Sequence, residues 1–225
     1  EYGTDESLKI IRERAHELAA VLVEPVQSRR PEFVPIEFLK QVRSITEKSG
    51  TALIFDEVIT GFRAHPGGTQ ALFGIKADLA TYGKVVGAGL PIGVIAGKRA
   101  FMDALDGGFW QYGDASVPEV GVTYFAGTFV RHPLALAAAK ASLAYMKAEG
   151  PMLHQQLTRK TTRLADELNA VLESWKLPLF VVNFGSLWKV KFKEEVAYGE
   201  LLFTLMRDKG IHIWDGFPCF LTEAH

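Results

Sequence analysis

Lys84 stands in TYGKVVGAGLPIGVIAGKR, residues 81–99, with an apolar run before it and glycines at 83, 87, 89, 93 and 97 around it. Most lysines sit on solvated helix faces. An amine placed at the end of an apolar run can instead add to a carbonyl and form a Schiff base. Two other polar positions close apolar runs in the same way: Glu24 after AVLV, and Asp56-Glu57 after ALIF. If the three runs are strands of one open α/β sheet, their carboxyl ends face a shared crevice, which is where such sheets bind ligands. Glu24, Asp56 and Lys84 are therefore expected to share a site.

The surrounding pattern supplies the elements that would hold them. Leu8, Ile11, Ala15 and Leu18 recur at helical spacing between Glu6 and Ala20, ahead of the first apolar run. Phe38, Leu39, Val42 and Ile45 line a second helix closed near Gly50, ahead of TALIFDE. ADLATYGK and GVIAGK read as two further strands, so the first part of the chain alternates α and β. Pro133 suits the first turn of a helix that runs to Gly150. Leu153, Leu157, Leu164, Leu168 and Leu172 carry a helical stripe up to Trp175. The period then changes to two, and LFVVNF and SLWKVKF predict a hairpin about Gly185-Ser186, half exposed because Lys189 and Lys191 alternate with Trp188, Val190 and Phe192. A helix from about Glu195 to Lys209 and a strand at IHIW complete the reading, with Trp188 and Trp214 expected in the core of this part. The expectation is an α/β chain with a large domain over 1–148 and a smaller α+β domain over 149–225.

Composition narrows the function. Twenty-five basic against 26 acidic residues give a formal charge of −1, so no excess of either sign points to nucleic acid or an anionic membrane surface. No apolar stretch reaches the roughly 18 residues of a membrane span. One cysteine, Cys219, allows no disulfide framework, is expected to be buried and inert, and leaves a cytoplasmic setting as the natural reading. Histidines 16, 65, 132, 154, 212 and 225 form no ligand spacing, so no metal site is expected. The charged beginning EYGTDESLKI and the end PCFLTEAH read as the limits of an excerpt, incomplete at both ends, which expressed alone is expected to be poorly soluble or inactive.

Two nucleotide readings fit poorly. An apolar strand ending in Asp-Glu occurs in nucleoside triphosphatases, but Gly97-Lys98 is followed by Arg99 and preceded five residues earlier by Ile92, so no phosphate cradle accompanies it here; a cradle upstream of Glu1 keeps this reading as a minor alternative. Gly87, Gly89 and Gly93 are one residue too widely spaced for the dinucleotide fingerprint, and Pro91 interrupts the helix start. An acid and an amine at neighbouring strand ends instead match pyridoxal 5′-phosphate, which needs an amine for its aldehyde and a carboxylate to keep its ring nitrogen protonated. Asp56 and Lys84 fit those roles, and the glycines about Lys84 let backbone approach a bulky ring.

VLVEPVQS, LIFDEVITGFR, TYGKVVGAGLPIGVIAGK and GTFVRHPLALAAA, in that order, resemble successive motifs of the class III aminotransferases, and more closely those of glutamate-1-semialdehyde 2,1-aminomutase. VEPVQSRRPEF, FDEVITGFRAHPGG and RDKGIHIWDGFPCFLTEAH are most similar to the aminotransferase domains of hybrid polyketide and nonribosomal peptide synthetases of the microcystin and nodularin type. The resemblance implies fold type I of the pyridoxal-phosphate-dependent transferases, with part of the large mixed-sheet domain and part of the small domain present. It implies that Lys84 is the Schiff-base lysine, Asp56 the pyridinium partner and Val58 the apolar residue against the ring. Glu24 lines the site, and Thr128 reaches the cofactor phosphate of a neighbouring subunit in a homodimer. It further implies transamination from an amino donor, glutamate, to a keto acceptor, a β-ketoacyl thioester on a carrier protein. A free-standing semialdehyde aminomutase is the alternative, and a catalytically silent docking domain a minor one, because the family's upstream glycine-serine phosphate loop and ring-stacking aromatic are absent. Ile59 and Arg29 stand where ornithine-type members carry glutamine and glutamate, which argues against diamine and ω-amino-acid substrates. Arg131 and His132 replace a Gly-Asn pair, at a surface or at a different entrance.

Overall fold

A computed structural model describes residues 1–225 apart from 106, 109, 120, 122, 124, 125 and 129. Residue 129 belongs to the Gly127–Pro133 motif and lies outside the described residues.

Two sheets organise the chain, each with its own helices. The first has the order β1 (Ala20–Val23), β2 (Ala52–Asp56), β3 (Leu79–Tyr82), β4 (Val94–Gly97). β1, β2 and β3 are parallel and β4 runs antiparallel to β3, so the sheet is mixed. α1 (Asp5–Arg14) is capped by the Thr4 hydroxyl on the Ser7 N–H at 3.2 Å. It stops short of the expected Ala20, since Ala15–Glu17 tighten into a 3₁₀ turn before β1. α2 (Ile36–Ser49) ends where Gly50 takes φ +75°, a left-handed turn that glycine adopts without strain.

The core forms where α1 and α2 cover this sheet. Leu8, Phe38, Leu39, Val42, Leu53, Phe55, Ile75 and Ala80 pack as one buried cluster. Truncating a residue such as Leu53, fully buried at its centre, to alanine costs roughly 2–5 kcal/mol. Asp78, buried at the amino end of β3, ties three elements together. It accepts from Leu53 N–H at 2.7 Å, Arg43 of α2 at 2.8 Å and Lys98 beyond β4 at 2.6 Å. The outer strands keep open edges, with Leu22 of β1 and Ile95 of β4 exposed.

After the short α3 (Gly68–Phe73) and α4 (Arg99–Met102), α5 (Pro133–Glu149) begins with proline at its first turn. α6 (Pro151–Ser174) lies on the second sheet, β5 (Leu179–Phe184), β6 (Leu187–Phe192) and β7 (Cys219–Phe220), which is antiparallel throughout. Asn169 of α6 binds this sheet by its side chain, donating to Val181 O at 2.9 Å and accepting from Val181 N–H at 2.7 Å.

Three expectations for this part are corrected. The last helix, α7, spans only Leu201–Asp208, because Tyr198–Glu200 are taken up in turns. Ile211–Trp214 form no strand; the third strand comes later, at Cys219–Phe220, against Leu187 and Trp188. Trp214 is 61% exposed and stacks on Phe217 with ring centroids 4.8 Å apart, so it is not a core residue, while Trp188 is half-buried. Cys219 is also half-buried, and burial raises its thiol pKa, which suits an unreactive side chain.

Candidate functional site

Parallel register carries the polar strand ends into one row. Val23 pairs with Phe55 and Asp56 with Thr81, so Glu24 and Asp56 sit side by side while Lys84 follows two residues past the end of β3. Lys84 opens a 3₁₀ turn, Lys84–Gly87, with φ +45°, a left-handed value rare outside glycine and frequent at functional sites. Just before it, a Cβ on Gly83 would lie 3.3 Å from Ile92 O and 3.4 Å from Val58 Cγ1, so the backbone passes close to Val58. Glu24, Arg29, Asp56, Val58, Ile59 and Lys84 line a single cleft of about 540 Å³. A larger cavity, about 630 Å³, has mostly apolar walls such as Ala71, Leu79 and Ala80 and holds none of the three strand-end groups. The titratable groups therefore mark the smaller cleft as the candidate site.

Asp56 is held rigidly. Its Oδ1 accepts from Val58 N–H at 3.0 Å and from the Thr81 hydroxyl at 3.1 Å, which leaves Oδ2 available to a ligand. Glu24 Oε1 accepts from Ser28 N–H at 3.0 Å. Burial pushes the Glu24 carboxyl above its ordinary pKa. The Asp56 charge adds to that shift, against the Ser28 hydrogen bonds and the Arg29 charge. Lys84 is exposed in the cleft.

Glu57, next to Asp56, faces the other way and is fully buried. It accepts from Thr69 N–H at 2.7 Å, Gln70 N–H at 3.3 Å and the Thr60 hydroxyl at 3.2 Å, which caps the start of α3 and closes the loop that begins with Val58 and Ile59. The same loop is locked to the second half of the chain. The Arg63 guanidinium lies 3.7 Å from the centre of the Phe220 ring, and burial brings its pKa down to about 10. His154 of α6, buried, puts Nε2 3.1 Å from Phe62 O, and burial lowers its pKa.

Of the residues singled out in the sequence, Glu24, Asp56, Val58 and Lys84 come together. Thr128 is exposed and does not line this cleft. It does not cap α5 either; His132 does, through Nδ1 to Ala135 N–H at 3.4 Å, and Arg131 and His132 are both exposed. Among the described residues no group of histidine, cysteine, aspartate or glutamate could hold a metal ion. The sequence reading missed Thr81, Ser28 and the capping role of Glu57. Thr81 was accessible in principle: in a parallel pair, a hydroxyl inside LATY falls opposite a residue at the end of ALIFD. Glu57 was not, because its partners lie 12 and 13 residues away in a loop without periodicity.

The family model for class-III aminotransferases matches residues 3–217. The chain belongs to that family. A glutamate-1-semialdehyde 2,1-aminomutase of Pyrobaculum calidifontis is 39% identical over 191 residues, which is 84% of this chain and 40% of the relative. Among solved structures, a transaminase with PLP bound superposes with a TM-score of 0.81 at 28% identity, over 96% of this chain and 50% of the other. An omega-transaminase from Sphaerobacter thermophilus gives 0.81 at 26%, over 97% of this chain and 50% of the other. The chain thus spans about half the length of these relatives. The fold of this class-III chain is that of the type I PLP-dependent transferases, and no helix among its described residues is long and apolar enough to cross a membrane.

Proposed function

We propose that the complete protein is a pyridoxal-phosphate-dependent transaminase with Lys84 at its centre. The observation that carries this is the meeting of an exposed amine and an anchored carboxylate in one cleft. The residues present suit the cofactor. An amine is available for its aldehyde, Asp56 Oδ2 for its ring nitrogen, and Val58 for the flat apolar face. When bound, the cofactor supplies an electron sink for the charge left after an amino acid's α-proton is removed. Lys84 Nζ would hold it and would carry that proton as general base and acid. Asp56 would keep the ring nitrogen protonated, and its two donors, Val58 N–H and the Thr81 hydroxyl, fix the carboxylate in place. Glu24 stands beside Asp56 as a site-lining group.

The finer reading is transfer of an amino group from glutamate to a keto acceptor, a β-ketoacyl thioester on a carrier protein. Its support is the likeness of the Val23–Phe33, Phe55–Gly68 and Arg207–His225 segments to synthetase-embedded domains. Thr128, exposed and outside the cleft, is assigned to the neighbouring site of a homodimer. We place the protein in the cytoplasm, with residues 1–148 as the cofactor domain and 149–225 as the small domain. The 39% identity to a glutamate-1-semialdehyde 2,1-aminomutase favours a second reading, in which the amine returns to the adjacent carbon of the same molecule. Incubating the complete, cofactor-loaded protein with glutamate plus a carrier-bound β-ketoacyl thioester, and separately with glutamate-1-semialdehyde, decides between them by mass spectrometry. Amination of the thioester with release of 2-oxoglutarate is expected. Conversion of the semialdehyde to 5-aminolevulinate alone would replace the first reading with the second.

A further inference from the structure

Four cations lie on two stretches of chain that meet where Lys191 bonds Glu32. Arg29 and Arg30 follow β1 and line the cleft, while Lys189 and Lys191 project from β6. Two of these charges have carboxylate partners: Lys191 bonds Glu32 at 2.5 Å, and Arg30 stands 3.9 Å from Glu1 with its guanidinium over Phe33. The other two do not. Lys189 Nζ donates to the Gly216 carbonyl at 2.9 Å, and among the described residues neither it nor Arg29 has a carboxylate within ion-pair distance. Burial first, then the charges of Lys191 and Arg29, hold the Lys189 amine below its ordinary pKa, so the two unpaired cations feel each other. Glu32 and Glu24 are the carboxylates that also act on them, but Glu32 is bonded to Lys191 and Glu24 to Ser28.

A guanidinium that lines a cleft without a carboxylate partner favours an anion there, and a second cation that shares its field strengthens that preference. The size of the anion follows from the cleft. Arg29 and Lys84 line the same space of about 540 Å³, so a small molecule held in it is bounded by both side chains. We propose that Arg29, assisted by Lys189, binds the side-chain carboxylate of a dicarboxylic amino donor whose amino group reacts at Lys84. A guanidinium fork suits a carboxylate, and Lys189 adds a point charge from the second sheet. The assignment rests on the transaminase reading for the position of the amino group.

The test uses the complete protein loaded with pyridoxal phosphate. Calorimetric titration with glutarate, with its neutral diamide glutaramide and with inorganic phosphate is compared for wild type, Arg29→Ala, Arg29→Lys and Lys189→Ala. Glutarate is expected to bind Arg29→Ala at least tenfold more weakly, Lys189→Ala several-fold more weakly and Arg29→Lys in between, with glutaramide changed less than threefold. In turnover, Arg29→Ala should raise KM for glutamate more than it lowers kcat. Equal glutarate binding by wild type and Arg29→Ala, or equal losses for glutarate and glutaramide, overturns the proposal. Phosphate binding tighter than glutarate and lost in Arg29→Ala also overturns it, in favour of a phosphorylated ligand. Failure of the transaminase reading shows separately, as a missing cofactor absorbance band.

Discussion

Replacing Glu57 by alanine removes the group that closes the loop beside the site. Three donors lose their acceptor: Thr69 N–H at 2.7 Å, Gln70 N–H at 3.3 Å and the Thr60 hydroxyl at 3.2 Å. A buried donor left without its acceptor costs about 1–3 kcal/mol, and less where the lost bond was long. Weighting the short bond at about 2 kcal/mol and each long one at about 0.5–1 kcal/mol gives a loss of about 3–4 kcal/mol. Solvent reaches little of this region, since Glu57, Thr60 and Thr69 are all buried, so water cannot replace the carboxylate without opening the loop. Amide hydrogen exchange at Thr69 and Gln70, read by mass spectrometry, is the assay. If opening is local, exchange should accelerate by about 10²–10³-fold, while amides in β2 and β3 keep their protection. Gly68→Ala attacks the same contact from the other side. Its Cβ would fall 2.6 Å from both Glu57 carboxylate oxygens at a φ of +67°, so it should open the same amides. Unchanged exchange in Glu57→Ala would refute the claim that this carboxylate holds the loop.

Three other perturbations probe separate parts of the structure. Burial alone would raise the Asp78 pKa, but Leu53 N–H, Lys98 and Arg43 outweigh it and hold the carboxyl below its ordinary value. Its contribution to stability is thus complete above the unfolded pKa of about 4 and is lost as pH falls through the lower folded value. Urea unfolding midpoints from pH 6 to pH 3 should show this acid-dependent loss in wild type and a smaller one, from a lower starting stability, in Asp78→Asn; parallel curves would contradict it. Phe220→Leu keeps an apolar cover over Arg63 but removes the ring face, and should cost about 1 kcal/mol in denaturant unfolding, whereas no loss would mean that the stacking contributes nothing. Asp56→Asn should lower kcat by about 10²–10³-fold while the cofactor still attaches to Lys84, and a fully active variant would remove Asp56 from its role.

The shared cleft of the candidate site was legible in the sequence because its residues lie at strand ends, and buried parallel strands announce themselves as apolar runs. AVLV, ALIF and LATY each carry their polar residue just beyond the run, and register alone then places Glu24, Asp56 and Lys84 together. Gly50 and Pro133 likewise mark helix boundaries by backbone chemistry that depends on no distant partner. What escaped was set by tertiary contacts. IHIW has the composition of a strand, yet β6 is paired by Cys219–Phe220 instead, and Trp214 turns outward onto Phe217. Glu57 looked like the second half of an acidic strand end. Only the return of the chain at Gly68–Gln70 brings it the three donors that make it a cap. The interlock of Arg63 with Phe220 and of Phe62 O with His154 joins residues 157 and 92 positions apart, for which local pattern carries no signal.

The central claim is that Lys84 holds pyridoxal phosphate. The direct measurement is the absorbance spectrum of the complete protein with the cofactor, before and after borohydride reduction, followed by peptide mass mapping, with Lys84→Ala in parallel. Wild type should show a visible band, lose it on reduction, and carry a cofactor-sized mass fixed on the peptide containing Lys84. No band in wild type, or reductive fixation to another lysine that persists in Lys84→Ala, would contradict it.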